Sequence, residues 1–169
     1  MLRETVDSMI GSRVDSELSQ KLKSSICEVP GVYGAYDLSL HNYGPEDMQG
    51  SVHVEVDDSL NAVEIQKIGR AISAKIYEEY SIALTVGFYA RNDKYEDIRS
   101  TLDEFVRYYD EIIEIHGFIV YEDMNLATFD MIVDFEADRE KVKAEVLDKI
   151  KNKHPQFDYV IIDDYDVSD

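Results

Sequence analysis

Basic residues are scarce in this chain of 169: 17 Lys+Arg stand against 36 Asp+Glu, a formal net charge of −19. A surface so acidic repels phosphate, which excludes a nucleic-acid binder and disfavours docking on an anionic membrane. Cysteine is nearly absent too. Cys27 stands alone, so an intramolecular disulfide framework and any Cys-rich zinc or iron–sulfur motif are excluded. Its position in an apolar-periodic helix predicts a buried core thiol. The longest apolar stretch, about Ile82 to Ala90, falls far short of the roughly 20 residues that span a bilayer. Arg3 and Glu4 interrupt the start, so no secretory signal opens the chain. The 8 Gly and 3 Pro, beside 44% hydrophobic residues, are too few for a disordered or fibrous chain. What remains is a folded globular protein whose surface attracts cations.

Along the chain, Asp15 reads as an N-cap for a helix from about Ser16 to Cys27, with Leu18, Leu22 and Ile26 on one face. Pro30-Gly31 ends it, and a strand follows from about Val32 to His41. Ser51 to Asp57 alternates strictly, with Val52, Val54 and Val56 on one face. Asn61 and Glu64 form a capping box for a helix carrying the stripe Ile65, Ile68, Ile72, Ile76. Ile82, Leu84, Val86 and Phe88 alternate as a third strand.

The pattern then starts again. Ile98, Leu102, Phe105, Tyr109 and Ile112 predict a helix, Phe118–Asp123 and Thr128–Phe135 two strands, Val142, Val146 and Ile150 a helix, and Tyr159–Asp163 a last strand. Each half reads α-β-β-α-β. The segment from Glu28 to Val32 aligns with Glu114 to Phe118 at an offset of 86, which sets Asp37 on Asp123. The second hairpin loop is the shorter of the two. The fold class expected is α+β: two tandem ferredoxin-like (αββαβ) units, each an antiparallel three-stranded sheet with two helices on one face. The second unit is the more acidic, since residues 92–169 hold 22 of the 36 acidic side chains.

His53 is the most pointed residue. Alternation sets it beside Glu55 on the sheet face away from the helices, where Asp37, Ser39 and His41 of the neighbouring strand share one parity. Imidazole nitrogen with carboxylate oxygen suits zinc or a similar divalent ion, and a plain solvated polar face is the other reading of the same residues. In the second repeat, Asp130 takes the place of His53, Asp163 sits where the third strand ends, and His116 lies in the lead-in to the first strand. The Asp163-Asp164-Tyr165-Asp166 cluster reads as a weak holder of a hard cation or as a solvated acidic tail, matching no EF-hand spacing, and His154 beside Pro155 reads as surface. Neither a nucleophile elbow, nor a Walker loop, nor a dinucleotide fingerprint, nor a zincin helix is present, so the reading is not an enzyme.

The strings Pro30-Gly31-Val32, Gly34-Ala35-Tyr36-Asp37-Leu38, His41-Asn42-Tyr43-Gly44-Pro45, Gly50 to Val56, Ser59-Leu60 and Leu84-Thr85-Val86-Gly87 together resemble the cytoplasmic C-terminal domain of cation diffusion facilitator (CDF) transporters. The resemblance covers about residues 15–92, and the second half looks like a divergent extra copy. It implies a membrane-proximal lead-in at 1–14, a CDF-type cytoplasmic dimerisation domain at 15–91 and a second ferredoxin-like repeat at 98–169. By that likeness the chain is the regulatory region of a proton-coupled divalent-cation exporter. It would lie at the cytoplasmic face of the cell membrane, as a homodimer below its own transmembrane domain. The implied ion is zinc first, manganese or iron otherwise, with His53, Asp37, Asp130 and Asp163 as candidate ligands. The family's histidine before Asp-Leu is Tyr36 here, its helix histidine is Gln66, and its His-x-Asp at the end of the third strand is Gly87-Phe88-Tyr89. His53 alone matches a family ligand position directly. Either a harder ion is held by Asp37, His53 and carboxylates, or the site is lost and the acidic second repeat takes over part of the dimer contact. A free-standing sensor of the ACT-like kind and an acylphosphatase-like enzyme share this element order; the first would need a Gly-rich ligand turn and the second a phosphate loop.

Overall fold

The computed structural model describes residues 16–44 and 47–164. The expected lead-in at 1–14, the expected N-cap Asp15, residues 45 and 46, and the tail from 165 lie outside the described residues. The element order is α1 (Ser16–Cys27), β1 (Gly34–Gly44), β2 (Asp47–Asp57), α2 (Ala62–Tyr80) and β3 (Ile82–Arg91), then a 3₁₀ turn at Asp93–Tyr95, α3 (Glu96–Tyr108), β4 (Ile112–Tyr121), a second 3₁₀ turn at Glu122–Met124, β5 (Leu126–Val133), α4 (Arg139–Lys153) and β6 (Asp158–Asp164). The αββαβ pattern occurs twice, in two compact units of which one ends at Tyr89 and the other begins at Ala90.

In the first unit the sheet order is β1-β2-β3. Leu22 and Ile26 of α1 and Ile72 and Ile76 of α2 are wholly buried against Leu38, Val52, Val54, Val56 and Ile82, so both helices cover one face of the sheet. The expected capping box at α2 is present: Asn61 Oδ1 accepts from Val63 N at 2.9 Å and Glu64 N at 3.2 Å, while Glu64 accepts from Asn61 N at 2.9 Å. Cys27 is exposed, which corrects the expected core thiol. The buried stripe of α1 runs Ser19, Leu22, Ser25, Ile26, and a residue one step beyond Ile26 turns about 100° away from it.

The second unit repeats the plan with order β4-β5-β6 and a core of Ile98, Leu102, Phe129, Met131, Val146 and Ile150. Three details differ from expectation. Helix α3 ends at Tyr108 because Tyr109 turns to an extended backbone (φ −110°, ψ 108°), so Ile112 opens β4 instead of closing the helix. Residues 122–124 form a 3₁₀ turn, and Phe135, expected in a strand, is 99% exposed beyond the end of β5. The third is direction. β4 and β5 pair antiparallel, but β5 and β6 pair parallel, since α4 carries the chain back to the starting end of the sheet before β6 begins.

One irregularity recurs in both hairpins. In β1, Tyr36 stands opposite His53 and Ser39 opposite Ser51, so Asp37 and Leu38 together face Val52. In β4, His116 stands opposite Asp130 and Ile119 opposite Thr128, so Gly117 and Phe118 together face Phe129. Each is a β-bulge whose first residue is left-handed: φ is 53° at Asp37 and 61° at Gly117. The bulge lets core residues three apart, Ala35 and Leu38, point to the same side. The true equivalences are therefore Tyr36 with His116 and Asp37 with Gly117. The offset of 86 is corrected: it matched Gly31 (φ 91°), in the turn after α1, to a glycine inside a strand.

Candidate metal-binding faces

In the first unit, the face of the sheet away from the helices carries a polar group built on three strands. Asp37 Oδ2 lies 2.8 Å from His53 Nδ1 on β2 and accepts the Tyr89 hydroxyl of β3 at 2.7 Å. The Tyr89 ring sits 4.8 Å from the His53 ring, and Tyr36 is 6.3 Å from Tyr89. Left-handed Asp37 is what brings its carboxylate to this group while Leu38 fills the core. Because a carboxylate only accepts, Nδ1 is the donor, and in the neutral ring this tautomer leaves the lone pair on Nε2. A separation of 2.8 Å suits a hydrogen bond and is too short for two donors sharing one ion, which stand about 3.3 Å apart when each bond is about 2.0–2.1 Å. Asp37 thus orients the ring, in the carboxylate–imidazole pattern that leaves the far nitrogen to a metal. The His53 side chain is 46% exposed, open to an incoming ligand.

Gly87 makes room for this ring. A Cβ added at position 87 would overlap the imidazole of His53. His41, expected near the same face, is exposed and meets the Ser39 hydroxyl at 3.3 Å. Glu55 is buried, at 4% exposure. The residues at this face suit an imidazole-bound divalent ion, but the first unit offers it one nitrogen ligand.

In the second unit, His116 is not in a lead-in: it lies in β4 with its side chain wholly buried. Its Nε2 is 3.3 Å from Asp164 Oδ2 and 4.0 Å from Asp130 Oδ2, and its Nδ1 is 4.0 Å from Glu114 Oε1. Of the candidate ligands, Asp130 therefore joins a histidine and His53 joins Asp37. Asp163 does not join them. It accepts from Lys143 of α4 at 2.9 Å, because neighbouring residues of a strand point to opposite faces and Asp164 takes the open one. That ion pair raises the Lys143 pKa above its ordinary value. Residue spacing does not bring Tyr89, His116 or Glu114 to these sites and names Asp164 only as part of an acidic cluster; the Ile115-His116 alternation at the start of β4 is the signal for His116.

His154, expected at the surface, is buried. Thr101 Oγ1 donates to the Asp97 carbonyl at 3.0 Å, and so receives His154 Nε2–H at 2.8 Å. This pair belongs to the helix side of the second unit.

Taken together, the fold and its polar face define a small ferredoxin-like module with imidazole and carboxylate donors on an open sheet. Residues 14–86 match the family model described as cation efflux protein, cytoplasmic domain. The first unit is thus similar to the cytoplasmic domain of cation efflux proteins, and the second unit lies outside the matched residues. Similar solved structures include a MamM CTD variant in a nickel form, 22% identical at a TM-score of 0.43 over 46% of this chain and 100% of that one. A MamM CTD variant in a cadmium form is 23% identical at 0.42, over 45% and 96%. None of the curated proteins matches. No helix among the described residues is long and apolar enough to cross a membrane.

Proposed function

We propose that this chain is the cytoplasmic regulatory and dimerisation region of a divalent-cation efflux transporter that exports zinc or a similar ion in exchange for protons. The observation that carries the metal-responsive part is the placement of His53: Nδ1 lies 2.8 Å from Asp37, Nε2 lies beside Gly87, and the side chain is 46% exposed. One imidazole is one ligand, and zinc takes about four. A second copy of the first unit would supply a second imidazole, with water in the remaining positions, so metal binding and dimer closure become one event. Metal that binds the closed dimer more tightly than the open one shifts the population toward closure. The charge of −19 per chain opposes close approach of two copies, and bound cations offset that repulsion. Asp37 positions the ring, and Asp130 belongs to a separate group in the second unit. Such a region would sit at the cytoplasmic face beneath the transmembrane domain of the same transporter.

The test is small-angle scattering with sedimentation, on the wild type and His53→Ala, with Zn²⁺ and with Mn²⁺. A dimer that compacts on adding metal, and no longer does so in His53→Ala, supports the reading. A chain that stays monomeric, or a dimer that compacts equally in both proteins, overturns it.

A further inference from the structure

We propose that the second unit holds a divalent-metal site of its own, with His116 Nε2, Asp164 and Asp130 as ligands and Glu114 facing the other nitrogen of the ring. It goes beyond the dimer reading, because every donor comes from one unit of one chain.

Three observations carry it. The first is distance. The 3.3 Å between His116 Nε2 and Asp164 Oδ2 is long for a charge-assisted hydrogen bond and matches the spacing of two donors on one ion, about 3.3 Å for bonds of about 2.0–2.1 Å. Asp130 Oδ2 lies 4.0 Å from the same nitrogen, and a rotation of its carboxylate brings it toward an ion held there. The second is burial with charge. The imidazole is fully buried with three carboxylates within 4.0 Å, and a dication at Nε2 offsets the repulsion that such a group carries. Glu114, at 4.0 Å from Nδ1, stands on the side where a metal-bound histidine places its orienting carboxylate. The third is construction. His116 and Asp130 are a cross-strand pair immediately before the bulge at Gly117, the place that Tyr36 and His53 hold in the first hairpin. The two hairpins thus direct donors to the sheet face away from the helices by the same backbone device. The first does so with one nitrogen, the second with one nitrogen and two carboxylates.

One imidazole with two carboxylates favours a first-row dication such as Zn²⁺, Mn²⁺ or Fe²⁺ over soft Cu⁺, which prefers sulfur, and over Ca²⁺, which takes six to eight oxygens. Asp164 and Asp130 are 31% and 13% exposed, so the ion can enter and keep water in the remaining positions.

Co²⁺, whose visible absorption reports its ligand geometry, is the probe, titrated into the full-length chain by absorption and by equilibrium dialysis. The background is His53→Ala, which removes the first unit's nitrogen ligand. One Co²⁺ should remain bound there with a visible band. Adding Asp130→Asn and Asp164→Asn, near-isosteric changes that leave His116 in place, should weaken that binding at least about tenfold. His116→Gln should shift the band, and the melting midpoint of each variant shows whether its fold persists. Retention of the same affinity by the double Asn variant, or no Co²⁺ bound by His53→Ala, overturns the proposal. The first unit's reading fails separately, when His53→Ala and wild type bind the same number of ions.

Discussion

The imidazole of His53 occupies the space that a side chain at position 87 would need. Glycine on β3 is therefore a positioning choice: it lets the ring lie against the sheet with Nδ1 on Asp37. Gly87→Ala should push the ring off Asp37 while leaving the core residues Leu84 and Ile82 where they are. The expected outcome is metal affinity lowered about tenfold or more, with a melting midpoint close to wild type. Histidine NMR resonances check it directly, because the tautomer fixed by the Asp37 contact should be lost.

Asp37 has two duties that substitution can separate. Its backbone is left-handed (φ 53°), and its carboxylate takes the His53 and Tyr89 hydrogen bonds. Asn tolerates the left-handed region nearly as well as Asp, so Asp37→Asn should fold with little loss yet bind metal more weakly. Ala is penalised there and Gly is not. Asp37→Gly should therefore be more stable than Asp37→Ala by about 1 kcal/mol in denaturant unfolding, although both lack the carboxylate. Equal stabilities would mean that the bulge has relaxed.

These two residues show how far the sequence could be read. Val52-His53-Val54 alternation and the capping box at Asn61 are local patterns, and both appear as expected, with the αββαβ order that follows from them. A bulge is different. It depends on pairing with another strand, so nothing near Gly117 in the chain marks it as the partner of Asp37. The offset of 86 pairs glycines of different elements for that reason, and it leaves His116 outside its strand. Asp163 and Asp164 differ only in which face they take, and a one-residue error in the strand's parity exchanges a lysine partner for a histidine one. Cys27 shows the same limit in a helix, where the true stripe passes through two serines that hydrophobicity does not reveal.

Thr101 and His154 give a test of the second core that does not involve metal. The threonine hydroxyl receives His154 Nε2–H in a buried place and passes its own proton to the Asp97 carbonyl. Thr101→Val keeps the shape and removes the acceptor, leaving a buried N–H without it. The loss expected is about 1–3 kcal/mol in denaturant unfolding. Thr101→Ser restores the hydroxyl and should recover most of it. A similar loss in both variants would assign the cost to the missing methyl group.

Alkaline pH should weaken the second unit through Tyr159. Burial, with the Asp97 carboxylate adding to it, pushes the Tyr159 phenol up to about 12, and its hydroxyl donates to the His154 carbonyl at 3.0 Å. The ordinary phenol value is about 10. Between those two values the unfolded chain releases this proton and the folded chain keeps it, so the unfolded state gains as pH rises. The stability from Tyr159 is thus fully present below about pH 10 and is lost as pH climbs through about 12. Tyr159→Phe lowers stability at neutral pH by removing the hydrogen bond, yet its melting midpoint should fall less steeply than wild type from pH 10 upward. Tyrosinate absorbance followed in parallel should lose its latest-titrating component in that variant. Matching slopes in the two proteins would place the alkaline sensitivity elsewhere, with Lys75 the next group to examine, because its bonds to Glu79 and Glu28 raise it to about 12 as well.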